Sequence, residues 1–260
     1  MNNAHTNFTA AVLASFIAAP VAAQEHQRSE FSLGHTSVSD GVASSFTVAA
    51  KSDWTISGAF GVQGNLAFRD SDGALSNSLV GLHGYYGFGS GHRIGLFFQH
   101  EALLFPGGAG FQPTFQTIGL EAMIALSPAA NLELFVGSGE IDGFPIPLTG
   151  GTLYGMEGSY AFGPNWRGRL NYKVIDLEAA LPVGSLSEMG IGVDYYLGGG
   201  SGVPVILSAE AVRATAGFGS DKVDAVTLKI TIPIGGDPGA SGRKLFGDRG
   251  FSDSVLAYGG

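Results

Sequence analysis

Cysteine is absent from this chain of 260 residues, so no disulfide framework staples it and no thiolate holds a metal. Charge is scarce too: 13% of residues are charged, 13 basic against 22 acidic, for a net of −9. That acidic balance, with no basic patch, excludes the electrostatics of nucleic-acid binding. A third absence is any apolar run of about 18 residues, the length a helix needs to cross a bilayer. The longest candidate, Ala10–Ala23, is interrupted by Pro20. Catalytic motifs are missing as well. No His-Glu-x-x-His, Gly-x-Ser-x-Gly or acidic EF-hand loop occurs, and Gly239–Lys244 lacks the spacing of a phosphate loop. Among the scattered histidines, only His100 beside Glu101 and His83 in the inward phase offer material for a hydrolase site, and no nucleophile or orienting group is evident near either. No catalytic residue, no metal and no cofactor is expected, and the chain reads as a non-enzyme.

What is abundant is apolar side chain, at 45%, and glycine, with 42 residues. The mean hydropathy is positive, which excludes low-hydrophobicity disorder, and the glycines show no period of three, which excludes collagen. An apolar chain without a spanning helix requires another way of using that surface. Residues 1–23 read as a secretory signal peptide, with the apolar segment Ala10–Ala23 ending in Val21-Ala22-Ala23 before a polar run. The usual basic n-region is lacking, since no Lys or Arg precedes Arg28.

Beyond residue 29 the dominant pattern is period two. From Trp54, the set Trp54, Ile56, Gly58, Phe60, Val62, Gly64, Leu66 and Phe68 alternates with Thr55, Ser57, Ala59, Gly61, Gln63, Asn65, Ala67 and Arg69. A strand puts each set on one face, whereas a helix scatters both. Segments 114–126 and 223–233 read the same way. About twelve strands follow, near 30–38, 42–50, 54–68, 78–88, 92–103, 114–126, 131–138, 152–162, 166–175, 187–197, 203–213 and 223–233, with ten to sixteen as the outer bounds. Most are long enough for the about 9 to 11 residues of a tilted membrane strand.

Connections sort by parity. Lys51–Asp53, Gly89–Gly91, Ser127–Ala130, Gly163–Asn165 and Gly198–Gly202 are short. Asp70–Asn77, Phe105–Pro113, Glu140–Gly151, Asp176–Ser185 and Ala214–Lys222 are longer, and Ser39-Asp40-Gly41 breaks the rule. Short periplasmic turns and longer extracellular loops are expected of an outer-membrane barrel. Trp54, Tyr86, Phe88, Tyr160, Phe162, Trp166 and Tyr195 fall beside the short turns in the apolar phase, as an interfacial aromatic girdle would. Open sheet edges cannot be satisfied in hydrocarbon, so the expected fold is all-β, a closed antiparallel transmembrane barrel over residues 24–234 followed by a Gly-rich tail, 235–260.

The inward phase is mostly Ser, Thr, Ala, Gly, Gln and Asn. Its acids are Glu101, Glu121, Glu133, Glu157, Glu188, Asp194 and Glu210, and its bases are Lys51, Arg69, Arg93, Arg167, Arg169, Lys173 and Lys229. Arg167, Arg169, Asn171 and Lys173 share one face of a strand, next to Glu157 on one neighbour and Glu188 and Asp194 on the other. Such an array either sets a transverse field at a constriction or forms an ion-pair network that fills the barrel.

The segments GLEAMIALSPAANLELFVGSGEIDG (119–143), YGMEGSYAFGPNWRGRLNYKVID (154–176) and MGIGVDYYLGGG (189–200) resemble the strand–turn–strand units of Gram-negative outer-membrane porins, particularly the alphaproteobacterial type. The resemblance extends over most of residues 30–233. It implies diffusion of small hydrophilic solutes through a barrel in the cell outer membrane of a Gram-negative bacterium, with lipid and solute as partners and a homo-oligomer left open. General porins of that type have sixteen strands and end in an aromatic residue, whereas this chain has room for about twelve and ends in the tail. The alternatives are an outer-membrane lipid hydrolase or protease, and a plugged structural or adhesive barrel.

Overall fold

Twelve strands form in a computed structural model, which describes residues 25–39, 44–71, 75–105, 112–143, 148–179, 184–198, 203–216, 222–237, 239–242 and 244–250. They are β1 (Glu25–Val38), β2 (Ser44–Ser57), β3 (Phe60–Ser71), β4 (Leu75–Phe88), β5 (His92–Leu104), β6 (Thr114–Ser127), β7 (Ala130–Asp142), β8 (Leu148–Ala161), β9 (Trp166–Ala179), β10 (Ser185–Leu197), β11 (Val205–Ala216) and β12 (Lys222–Ile234). Each pairs antiparallel with its sequence neighbours, and β1 pairs with β12 from Ser29↔Ile234 to Val38↔Ala225, which closes the barrel. Closure leaves no unpaired edge, the condition a sheet must meet in lipid. The signal-peptide expectation for residues 1–23, Asp40 and Gly41 of the first hairpin, and the end of the tail lie outside the described residues.

Period two makes the wall inside-out relative to a water-soluble protein. Leu96, Ile118, Leu120, Val136, Leu170, Ile191 and Leu228 are exposed on the outer face. Facing inward, Gln63, Asn65, His83, Gln99, Glu121 and Glu133 are buried.

The structure moves one turn. β2 runs straight through Lys51–Asp53, and the chain reverses at Gly58–Ala59. A two-residue reversal pairs residues of opposite parity, as Ser57↔Phe60 does, but a bulge between Thr55 and Ser57 restores same-parity pairing from Thr55↔Gly61 onward. The apolar phase therefore passes through the turn unbroken, and the alternation of 54–68 conceals it. Trp54 consequently sits within β2 opposite Val62 rather than opening a strand. The strands also reach further than their alternation suggests, to Ser71 in β3, Asp142 in β7 and Ala179 in β9. Of the loops expected to be long, only that between Leu104 and Thr114 remains so, and the contrast between the two ends is weaker than the parity argument implied.

The inner face is also less uniformly polar than expected. Leu75, Leu103, Phe115, Ile141, Leu153, Ile175 and Leu186 form an apolar cluster at the rim opposite the chain termini, spanning β4 to β10. Five lie at or one residue from a strand end, with Leu153 and Ile175 further along β8 and β9, and all seven point inward. Deeper in, the Phe97 ring lies flat across the neighbouring strands: a Cβ on Gly119 would fall 2.6 Å from its Cε1. Glycine there leaves space for a large inward ring against the wall.

Candidate functional site: the lumen and the tail within it

After β12 the chain turns back into the barrel. Gly235 and Gly236 adopt φ of +74° and +64°, a conformation side-chain-bearing residues rarely hold. The reversal is fixed by buried Arg28, whose Nη1 donates to the Asp237 carbonyl at 2.9 Å while its Nη2 pairs with Glu30 at 2.9 Å. Ala240 then packs between Ala161, Tyr196 and Ile206, and Arg167 donates to the Gly242 carbonyl at 3.0 Å with its guanidinium over the Tyr196 ring.

From Lys244 to Gly250 every described residue but Leu245 has a polar or aromatic partner on the wall. The Lys244 ammonium bridges Glu157 at 2.6 Å and Glu133 at 3.1 Å, and its carbonyl accepts from Arg93. Phe246 is fully buried, stacked on His83 at 5.6 Å with the rings 2° from parallel, and the Arg93 guanidinium lies 4.7 Å from its centroid. Gln63 clamps the Phe246 backbone as a strand partner would: its Oε1 accepts from the amide at 2.8 Å and its Nε2 donates to the carbonyl at 2.9 Å. The Gly247 amide donates to Glu133 at 2.9 Å. Asp248 pairs with Lys51 at 3.2 Å and accepts from Asn65 at 2.9 Å. Arg249 reaches Glu121 at 3.1 Å and also Glu133, stands over the Phe135 ring, and donates its amide to Gln99 at 2.7 Å. Lys173 donates to the Gly250 carbonyl at 3.2 Å.

The charged residues singled out in the sequence thus divide into two groups. Arg93, Glu101, Glu121, Glu133 and Arg167 are buried against the tail; Glu101 accepts from Gln99 at 3.1 Å, and its carboxylate lies beside Gly250. Glu157 belongs to both groups, bound to Lys244 yet lining open space. On the far wall, Arg169 pairs with Asp194 at 3.2 Å and with Glu210 at 3.3 Å, and Lys173 pairs with Glu188 at 2.7 Å. Asn171 adds a 2.5 Å hydrogen bond to Glu210. The juxtaposition expected of β8, β9 and β10 occurs, except that Glu157 turns to the tail. Lys229 stands apart from these pairs, half-buried on β12.

Two cavities remain beside the tail. The larger, about 410 Å³, runs along β11, β12, β1, β2 and β3, where Ser32, Gly34, Thr36, Thr47, Ala67 and Ala225 leave space. Hydroxyl pairs stitch that wall, Ser32 to Thr231 and Thr36 to Thr227, each at 2.8 Å. The smaller, about 120 Å³, continues past Asp194, Tyr196 and Ser208 toward the rim of the chain termini. On that rim Tyr86, Phe88, Tyr160, Phe162 and Trp166 are exposed outward, with Trp54 and Tyr195 half-buried. Trp166 contacts Tyr195 at 4.5 Å and Tyr86 contacts Phe60 at 5.1 Å, which adds Phe60 to the belt. Among the described residues no His or carboxylate cluster of metal-binding geometry occurs. His83 is held between Glu121 at 2.8 Å and Asn65 at 2.9 Å beneath Phe246, and His100 lies in the outward phase of β5, so neither builds a rim hydrolase site.

No family model matches the chain, and no curated protein matches it. Solved structures do. The KdgM porin aligns over 78% of this chain and 98% of its own, with 9% identity and a TM-score of 0.55. The NanC porin covers 78% and 98% with 5% identity and a TM-score of 0.50. The barrel is porin-like. At such identities the likeness belongs to the architecture, and the porin-like barrel here carries a lumen of its own, occupied by its own tail. The sequence set residues 235–260 apart as a Gly-rich tail without locating it. One signal pointed there: the fifth to eighth strands carry Glu101, Glu121, Glu133 and Glu157 inward against the single base Arg93.

Proposed function

We propose that the protein is a passive channel of the Gram-negative outer membrane for small hydrophilic solutes or ions, with its C-terminal tail as a resident constriction. The observation carrying this reading is the pair of cavities in series beside the tail, lined by small polar residues and by charges of both signs. An apolar outer face with an aromatic belt at one rim supports insertion in lipid, and that rim would face the periplasm. The remaining bore is narrow, so the reading favours ions and small solutes over extended ones. The resemblance to alphaproteobacterial porins in the strand–turn–strand segments is part of the same proposal, as is a non-enzymatic role. Planar-bilayer recording tests it. Small, reproducible conductance steps are expected, and a silent membrane with insertion confirmed would overturn it.

A further inference from the structure

The two cavities meet at a neck whose shared lining includes Glu30, Lys51, Glu157, Arg169 and Lys229. Four of these charges are neutralised locally. Glu30 pairs with Arg28 at 2.9 Å, Lys51 with Asp248 at 3.2 Å, Glu157 with Lys244 at 2.6 Å, and Arg169 with Asp194 at 3.2 Å and Glu210 at 3.3 Å. Lys229 is the exception: among the described residues its ammonium makes no hydrogen bond and no ion pair. Its flanking partners in the sheet explain why. Gly34 on β1 and Ser208 on β11 stand opposite it, so neither side offers a carboxylate. Gly34 also leaves the lysine stem uncrowded, since a Cβ there would be 3.8 Å from the Lys229 Cβ.

We propose that this neck is an anion site, with Lys229 as its ligand and as the residue that makes the pathway anion-selective. The occupant is a small anion such as chloride, or the carboxylate of a small solute. A paired charge presents only a local dipole to a passing ion, whereas an unpaired ammonium in a narrow bore with low-dielectric walls presents a full field. Arg169 reinforces it, because its Nη2 is buried without an acceptor. The proposal rests on the channel reading above.

Reversal potentials in a potassium chloride gradient test it on the full-length protein, with folding of each variant checked by its heat-dependent migration on gels. The wild type is expected to favour chloride. Lys229→Gln should lose most of that preference, Lys229→Glu should turn it toward potassium, and Lys229→Arg should keep it. Lys222→Gln, at the opposite rim, should leave it unchanged. Conducting Lys229→Gln and Lys229→Glu variants with the wild-type reversal potential would overturn the anion site while leaving the channel reading intact, as would a cation-selective wild type. If the wild type inserts but is silent, the channel reading fails, and bromide anomalous scattering at the neck decides the site by itself. Density lost in Lys229→Gln would support the site, and no density in the wild type would overturn it.

Discussion

Arg249 holds two carboxylates, Glu121 and Glu133, both buried. Removing the cation leaves Glu121 without its guanidinium and Glu133 with Lys244 alone in a poorly solvated interior, a loss of about 3–5 kcal/mol for a broken buried pair. Arg249→Met should therefore release the tail more than it harms the barrel. Limited proteolysis checks this: the tail of the wild type should resist cleavage and that of the variant should be trimmed while the barrel persists. An equally resistant variant would show that Arg249 does not anchor the tail. The outer face obeys the opposite rule, since Leu120, mid-strand in β6 between Leu96 and Val136, meets lipid. Leu120→Arg should cost about 2–4 kcal/mol, read as a lower folding free energy in lipid vesicles under urea titration. A neutral effect would place that face in water. These inward and outward assignments follow from alternation alone, which is why single residues were legible wherever alternation held.

As an element, the tail is ordered by charge as much as by Phe246. Burial alone would raise the Asp248 carboxyl, but the Lys51 ammonium beside it holds it below its ordinary 3.8. Burial alone would lower the Lys244 ammonium, but Glu133 and Glu157 hold it above its ordinary 10.5. A depressed carboxyl contributes docking stability that is intact above its ordinary value and lost as pH falls through the depressed one. A raised ammonium contributes stability that is intact below its ordinary value and lost as pH rises through the raised one. The tail should thus stay docked from about pH 5 to about pH 9 and loosen only in stronger acid or base. Hydrogen exchange of the Phe246 and Arg249 amides checks this, and exchange that accelerates between about pH 5 and 7, beyond its intrinsic pH dependence, would contradict it. Nothing in the sequence of the tail announces a docked element, because its glycines give it neither a helical nor a strand period. Its complement on the wall was visible as unbalanced acids on four consecutive strands.

For the molecule as a whole, twelve strands, closure and the two-phase wall were legible because period two survives along most of the chain. Two features were not. The turn at Gly58–Ala59 hid behind a bulge that preserved the phase. The apolar cluster at the rim opposite the termini hid because Leu103 and Ile175 stand beside Leu104 and Val174, apolar pairs in which alternation no longer assigns a face. The overall charge misled in a similar way. Seven acids against seven bases made the lumen look neutral, whereas one wall is acidic and is matched by Lys244 and Arg249 of the tail. The central claim is that a conducting barrel is narrowed by this tail, and single-channel recording of the full-length chain beside a chain ending at Asp237 tests it most directly. Small steps that enlarge on truncation and shift toward cation selectivity, as Glu121, Glu133 and Glu157 lose their partners, are the predicted result. Equal conductance and selectivity in both proteins, or silence in both with insertion confirmed, would contradict it.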